Sequence, residues 1–300
     1  MKSNAIIRIV IFSLTSLILL AILASALLAN SLLTGLFDSG ILEGLREITS
    51  HHSSGDVIMD GTGMSGEYDA ESIRHLEIDW VSGTIIIRPG ETNTVRIEES
   101  AVSDEDLCMN IRRSGSRLII QYCEDNKVSI FNGSKLNADI SKDLVITVPK
   151  DWVCESLEID TASARVEIEN LQIYELDFDG ASGEFILDNC LLGDLDIDTA
   201  SGDVTFSGSL NVLDFDAASA SFSGVFVNAP KRIDMDSMSG DLDITLPADC
   251  GFTATVDSMS GAFHSDFSTT SSNGNYTYGD GSCKISVNGM SADVRIRRGE

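Results

Sequence analysis

The chain has 300 residues, of which 43% are hydrophobic, so it is long enough to fold around a substantial core. Lys and Arg number 20 against 47 Asp and Glu, which gives a formal net charge of −27. Because so acidic a chain repels phosphate backbones, this composition excludes nucleic acid as a partner.

The first predicted element is an uncharged apolar segment at residues 9–29. A helix of about 20 apolar residues spans the hydrocarbon core of a membrane. Lys2 and Arg8 precede the segment, so the positive-inside rule places residues 1–8 in the cytoplasm and the remaining chain outside. The alternative is a cleaved signal peptide, because residues 24–26 (Ala-Ser-Ala) fit the small-residue cleavage pattern. We favour a single-pass anchor in the cell membrane, and both interpretations export the rest of the chain.

Residues 30–66 join this anchor to the rest of the chain. Apolar residues first recur at helical spacing, and a stretch rich in Ser, Gly and His follows. We predict a juxtamembrane helix and then a linker. The β-strand-repeat domain is expected at 67–298, with a hairpin-containing N-terminal part at 67–150 and regular repeats at 151–298.

The N-terminal part of this domain contains two short apolar runs at 107–112 and 118–123, which flank a polar turn. This pattern predicts a β-hairpin, and residues 67–150 as a whole are expected to cap the open end of the repeats. Cys108 and Cys123 would then face each other across the hairpin, so they are a candidate disulfide. A strand that ends at a proline is expected at 144–150.

Eight copies of one short motif make up most of the remaining sequence. Each copy alternates apolar and acidic residues, ends in a serine, and continues in most copies with glycine and a second apolar run. The motif serines are Ser82, Ser163, Ser182, Ser201, Ser219, Ser239, Ser260 and Ser291. Alternation with period two indicates half-buried strands. A strand, a turn and a second strand every ~19 residues predict an all-β fold, a β-solenoid whose coils stack one above the next.

An aspartate recurs three residues before most of these serines. In the regular repeats these residues are Asp160, Asp179, Asp198, Asp216, Asp236 and Asp257. Stacked carboxylates about 4.8 Å apart repel each other, so another interaction must offset the cost. One hypothesis is that each carboxylate accepts a backbone N–H from the following turn. The other is that the ladder binds cations, Ca²⁺ above all, or a cationic partner surface. We favour the turn hypothesis and predict no cofactor, with Ca²⁺ as the alternative.

Four further cysteines lie in the repeats. Cys250 and Cys283 occupy similar points of adjacent coils and are a second candidate disulfide. Cys154 and Cys190 are expected two coils apart, beyond the reach of a disulfide, so we predict buried thiols.

The sequence contains no arrangement typical of catalysis. His75 and His264 fall in unrelated coils, and the Ser-Gly pairs are repeated in turn after turn, so none is distinguished as a nucleophile. We therefore predict that the protein is not an enzyme.

Several segments together resemble a known bacterial family. They are residues 76–87 (Leu-Glu-Ile-Asp-Trp-Val-Ser-Gly-Thr-Ile-Ile-Ile), 95–100, 118–123 and 143–150, along with the Ser-Gly-Asp repeats. The chain resembles a β-strand-repeat family of unknown function labelled "putative adhesin", over roughly residues 67–298. The resemblance implies a solenoid-like β domain on the bacterial envelope behind a single membrane anchor. Family members are linked to envelope-stress operons, and no catalytic residues carry over.

Three turns depart from the Ser-Gly pattern of this family. They have Ala164, Ala220 and Ala292 in place of glycine, so a positive φ is not required there.

The leading hypothesis is a non-enzymatic, extracytoplasmic protein of the cell envelope with an adhesin-like binding or scaffold role. Its expected partners are the membrane, through the N-terminal helix, and a cell-surface protein or glycan. One alternative is an envelope-stress sensor or regulatory partner. Another is a polysaccharide-acting β-helix enzyme, which would need one acidic cluster set in a groove.

Overall fold

The alternating sequence pattern forms β-strands in a computed structural model that describes residues 56–59, 64–100, 108–123, 141–272 and 274–300. The strands are β1 (Asp56–Met59), β2 (Met64–Asp69), β3 (His75–Gly90), β4 (Thr94–Glu99), β5 (Asn110–Ser114), β6 (Arg117–Gln121), β7 (Leu144–Pro149), β8 (Val153–Glu169), β9 (Gln172–Gly180), β10 (Glu184–Phe226), β11 (Arg232–Ser239), β12 (Leu242–Leu246), β13 (Phe252–Ser258), β14 (Phe263–Ser265), β15 (Thr270–Ser272), β16 (Asn275–Tyr278), β17 (Cys283–Ser291) and β18 (Val294–Arg298). A 3-10 helix covers Ala70–Ser72. The all-β prediction is confirmed.

The predicted anchor at 9–29 and its flanking segments 1–8 and 30–55 lie outside the described residues. Within the described part of the chain, no helix has the length and hydrophobicity needed to cross a membrane.

Successive repeats pair as parallel strands in the register that the motif predicts. Leu76 of β3 lies opposite Leu157 of β8, and Leu157 lies opposite Leu176 of β9. Leu176 in turn pairs with Leu195 of β10. Like residues therefore stack on like residues from coil to coil, because a parallel ladder with a constant repeat keeps every position in its column.

The last coils do not stack in the order of the sequence. Ile233 of β11 pairs with Ile285 of β17, and Ile285 pairs with Ala254 of β13. The final coil is thus inserted between the two that precede it, contrary to the expectation that each coil lies on the one before. The physical reason is burial: with a parallel partner on each side, β17 buries Ile285 and Val287.

The interior of the repeats is filled by side chains from both strands of each coil. Leu195 and Ile197 before the turn, and Val204 and Phe206 after it, belong to one buried cluster. Phe206 packs against the ring of Phe222 in the next coil, at a centroid distance of 6.5 Å. Burying such a side chain contributes about 1.5–3 kcal/mol, so each coil depends on its neighbours for its stability.

The Ser-Gly turns bring each coil close to the previous one. A Cβ atom on Gly202, whose φ is +127°, would lie 2.0 Å from the carbonyl oxygen of Gly183. In the alanine-containing turns the backbone is different. Ala164, Ala220 and Ala292 are buried, and the only non-glycine residues with positive φ among those described are Asn170 and Asn189. The alanine turns therefore need no positive φ, as predicted.

The N-terminal part adds the predicted hairpin. β5 and β6 pair in antiparallel fashion, with Ser114 opposite Arg117, and β6 lies parallel to β3 along the outer edge of the first coil. At the opposite end of the stack, β16 pairs with the outer edge of β13. Both ends of the repeat are thus covered by non-repeating hairpins, which protects strand edges from association.

Candidate functional site

Two columns of carboxylates run side by side across the outer surface of the sheet formed by β3, β8, β9, β10 and β11. Parallel pairing aligns the first, called here the aspartate column: Asp79, Asp160, Asp179, Asp198, Asp216 and Asp236. The second, called here the companion column, lies two residues earlier on each strand: Glu77, Glu158, Asp177, Asp196, Asp214 and Asp234. Together they form the acidic face. Alternation places both columns outside because the residues between them point into the core.

The aspartate column is closed at both ends by amide side chains. Gln121 Nε2 donates to Asp79 Oδ2 at 3.1 Å, and Asn288 Nδ2 donates to Asp236 Oδ1 at 2.7 Å. Asp257 lies beyond Asn288 on the end coil, because β13 pairs with β17 and not with β11. The amide at each end is a neutral hydrogen-bond donor. Each terminal carboxylate therefore has a charged neighbour in the column on one side only.

One arginine pairs with two carboxylates at each end of the companion column, and none pairs with its middle. Arg117 bonds Glu77 at 2.8 Å and reaches Glu158 at 3.4 Å. Arg232 pairs with Asp214 at 3.1 Å, and it also pairs with Asp234. Asp177 and Asp196 between them form no ion pair with any residue that the structure describes. The centre of the acidic face is therefore a patch of negative charge with no ion pair among the described residues, and only the more distant Arg232 opposes the raised pKa of Asp196.

Burial and mutual repulsion raise the pKa values of several of these carboxyls. Burial, followed by the charges of Asp236 and Asp198, raises the pKa of Asp216 to about 7. Burial, and then Asp179 and Asp79, raises the pKa of Asp160 to about 6. Burial, and then the charges of Asp179 and Asp214, also raises the pKa of Asp198. Burial removes each carboxylate from water, and the register places it beside like charges. A proton or another cation bound to the column therefore relieves both effects.

The predicted role of these aspartates as acceptors in their own turns stays a prediction. Among the described residues, no turn N–H donates to Asp160, Asp179 or Asp198. Instead the backbone N–H of Ala164 donates to Thr161 Oγ1 at 3.1 Å, and that of Ala262 donates to Asp293 Oδ1 at 2.8 Å. The physical reason is direction: side chains of the column stand perpendicular to the sheet, whereas those nearer the turn reach its backbone.

The cation hypothesis for Asp160, Asp179, Asp198, Asp216, Asp236 and Asp257 stays a prediction. No three His, Cys, Asp or Glu side chains of the described residues are grouped in a way that could hold a metal ion. Calcium prefers six to eight oxygen ligands around one point. The acidic face offers a row of separate carboxylates instead, which suits an extended set of positive charges better than one ion.

The structure places the two cysteines of each candidate pair near each other, without a disulfide between them. The register of β5 and β6, extended by two residues, sets Cys108 opposite Cys123, and both lie close enough to Lys142 to raise its pKa. The Cys250 and Cys283 side chains share a hydrogen bond. None of these described cysteines is in a disulfide, and both disulfides stay predictions.

One site near the N-terminal hairpin had no sequence signal. Lys142 is buried and donates to Glu99 Oε2 at 2.6 Å, and its Nζ lies 4.8 Å from the ring centre of Trp80 and 4.2 Å from that of Tyr122. Burial lowers the pKa of Lys142, and Glu99 opposes that shift. Residues this far apart in sequence meet only after the coils form, so no local pattern could reveal them. Their contacts tie β4 and the hairpin to the first coil.

Comparison with known proteins agrees with the resemblance. Residues 73–220 match the model of the family described as Toastrack DUF4097, which confirms the resemblance predicted from the sequence. No curated protein matches the chain.

Solved structures that are similar come from three bacterial species. A protein of Bacteroides fragilis titled "putative adhesin" is 15% identical, with 80% of this chain and 97% of that chain covered and a TM-score of 0.46. A "putative cell adhesion protein" of Clostridium sporogenes is 13% identical over 83% and 100% of the two chains, with a TM-score of 0.31. A "putative lipid binding protein" of Parabacteroides distasonis is 13% identical over 82% and 96%, with a TM-score of 0.34.

Proposed function

From the premise that residues 73–220 of this chain form a Toastrack DUF4097 region, we propose that the protein is a non-enzymatic binding scaffold of a bacterial cell envelope. Its N-terminal apolar segment at 9–29 anchors it in the membrane, and the β-solenoid lies on the extracytoplasmic side. The acidic face binds a cationic surface of a cell-surface protein or glycan. The observation that carries the proposal is that Asp177 and Asp196, at the centre of that face, have no ion pair with any described residue.

Charge complementarity supports this partner. Burial raises the pKa of Asp177, Asp196 and Asp198, and the like charges beside them raise it further. A basic group placed between two such carboxylates removes part of the repulsion that the free protein bears. Binding to a cationic surface is therefore favoured by relief of strain in the scaffold as well as by direct attraction.

The repetition itself supports a scaffold over an enzyme. Catalysis by paired carboxylates needs one pair whose surroundings differ from those of the others. Here the same two columns recur on consecutive coils, and the carboxyls with raised pKa values are spread along them from Asp160 to Asp216. Equivalent charges at a constant spacing suit a multivalent partner.

Binding of the full-length chain in detergent to a poly-lysine surface tests the acidic face. The triple variant Asp177→Asn, Asp196→Asn, Asp198→Asn removes three central charges with little change of shape. We expect it to bind at least tenfold more weakly and with a shallower dependence on salt. The matched control, Asp151→Asn, Asp203→Asn, Asp249→Asn, removes three exposed charges outside the columns. Equal losses in the two variants would mean that net charge, and not the acidic face, determines binding.

Protease treatment of intact cells tests the location separately. The proposal expects residues 67–300 to be cleaved without lysis, while the N-terminal segment stays with the membrane fraction. Protection of the repeat domain in intact cells would overturn the extracytoplasmic assignment and leave the binding result untouched.

A further inference from the structure

Three methionines form an exposed row at the C-terminal end of the stack. Met238 lies in β11, Met290 in β17, and Met259 follows β13; their side chains are 46%, 45% and 82% exposed. Each methionine directly follows a residue of one paired set, in which Ser237 and Ser258 both pair with Gly289. The register therefore places the three methionines side by side. Backbone bonds carry this order through the turn, with Ser260 N donating to Met290 O at 3.0 Å. We call these three residues the methionine row.

The fold does not require methionine at this position. The same column, one residue before the motif serine, contains alanine in the middle coils: Ala162, Ala181, Ala200 and Ala218. Those coils complete the same turn with the single methyl group of an alanine, which is exposed or partly exposed in each case. Three large apolar side chains confined to neighbouring coils, and held in water, contribute little to the core. Their grouping therefore points to a ligand.

We propose that the methionine row binds a soft monovalent metal ion, Cu(I) or its analogue Ag(I). Thioether sulfur is a soft ligand that selects Cu(I) over the hard cations that oxygen prefers. Adjacent coils are about 4.8 Å apart, and each side chain has three rotatable bonds. The three sulfurs can thus converge on one ion from neighbouring coils without movement of the backbone.

The neighbouring charges favour a cation at this place. Asp236 and Asp257 lie two residues before Met238 and Met259, on the same outward side of their strands. They attract a positive ion to the row, while the thioethers decide which ion stays. This site is independent of the proposed binding of a basic partner, which uses the centre of the acidic face several coils away.

A titration with Ag(I) followed by NMR of ¹³C-methyl-methionine in the full-length chain tests the site. All 8 methionines carry the label, so each methyl group reports on its own surroundings. We expect the methyl signals of Met238, Met259 and Met290 to shift together over the same range of added Ag(I). Cysteine thiols also bind Ag(I), and a methyl signal separates the two kinds of site.

Leucine variants give the decisive comparison. The triple variant Met238→Leu, Met259→Leu, Met290→Leu keeps the apolar surface and removes every thioether, so we expect Ag(I) affinity at the row to fall at least tenfold. Met235→Leu, on a buried residue of the same strand, is the matched control and leaves the affinity unchanged. Ala218→Met adds a fourth thioether on the next coil and tightens binding severalfold.

Cu(I) held by ascorbate under nitrogen, in competition with a colorimetric chelator, is expected to follow the same order of variants. Equal Ag(I) and Cu(I) binding by the wild type and the triple leucine variant would overturn the proposal. Shifts restricted to signals outside the row would do the same, and the row would then be only an apolar surface.

Discussion

The middle coils and the two ends of the stack are stabilised by different kinds of contact. In the middle, each coil has an equivalent coil on both sides, and residues such as Leu176 and Leu195 pack on their own repeats. At the ends no equivalent neighbour exists. There the chain uses contacts that occur once: the Lys142–Glu99 pair, the amides of Gln121 and Asn288, and the methionine row. The middle coils can therefore use the same contacts repeatedly, whereas the end coils need contacts that occur only once.

Breaking the individual contact at the N-terminal end should have the largest effect. Lys142→Met leaves Glu99 buried without its cation, and we expect a loss of about 3–5 kcal/mol in the free energy of unfolding. Urea denaturation of the full-length chain measures it. The double variant Lys142→Met, Glu99→Leu removes both charges and should recover most of the loss. A double variant as unstable as the single one would show that the pair matters for packing and not for charge.

In the middle coils, substitutions in the turns should reduce stability the most. Gly202→Ala places a Cβ 2.0 Å from the carbonyl oxygen of Gly183 at a φ of +127°, so the backbone of one coil must move away from the next. We expect a destabilisation of about 2–3 kcal/mol by thermal or urea unfolding.

Gly115→Ala is the control for this turn. Gly115 also has a positive φ, but nothing lies within 4 Å of its added Cβ. Its cost should be about 1 kcal/mol, from conformation alone. Equal costs at the two positions would mean that close stacking of the coils is not what requires glycine.

The acidic face makes the stability of the middle coils depend on pH. Folding raises the pKa of Asp216 to about 7 and that of Asp160 to about 6, above the unfolded value near 4. The folded state therefore binds more protons in this range, so stability should rise as the pH falls from about 8 to about 5. Because both carboxyls are partly exposed, we expect a gain of about 1–2 kcal/mol.

Urea denaturation across this pH range measures the effect. Asp216→Asn should raise stability at pH 8 and flatten the curve. A wild-type stability that falls steadily between pH 8 and pH 5 would contradict the raised pKa values.

The smallest expected effect distinguishes the roles considered for the aspartate column. Since Asp198 receives no turn N–H from any described residue, Asp198→Asn and Asp198→Ala should both leave stability within about 0.5 kcal/mol of the wild type or slightly above it. A turn acceptor would make alanine worse than asparagine by about 1 kcal/mol.

Calcium is tested in the same melting experiment. If the column binds Ca²⁺, millimolar calcium raises the melting temperature relative to chelator, and Asp198→Asn abolishes the rise. The open row of carboxylates leads us to expect no such rise at millimolar calcium.

Much of the fold could be predicted because its information is local and repeated. Alternation at Leu157, Ile159 and their equivalents fixes which side of each strand is buried, and the constant spacing fixes the parallel register. The hairpin of β5 and β6 was predictable for the same reason: its two strands adjoin one short turn. The columns of carboxylates follow from the register without further information.

The remaining features depend on contacts between distant residues. The sequence alone determined the strands, their inner and outer sides, and the acidic columns, because these arise from spacing within one coil and between equal coils. Only the tertiary structure decided that β17 lies between β11 and β13, that Lys142 meets Glu99, and that three methionines share one row. The physical reason is that each of these depends on which strands compete best for burial at the ends of the stack. The outcome depends on the packing of the whole core, so no periodic pattern in the sequence reveals it.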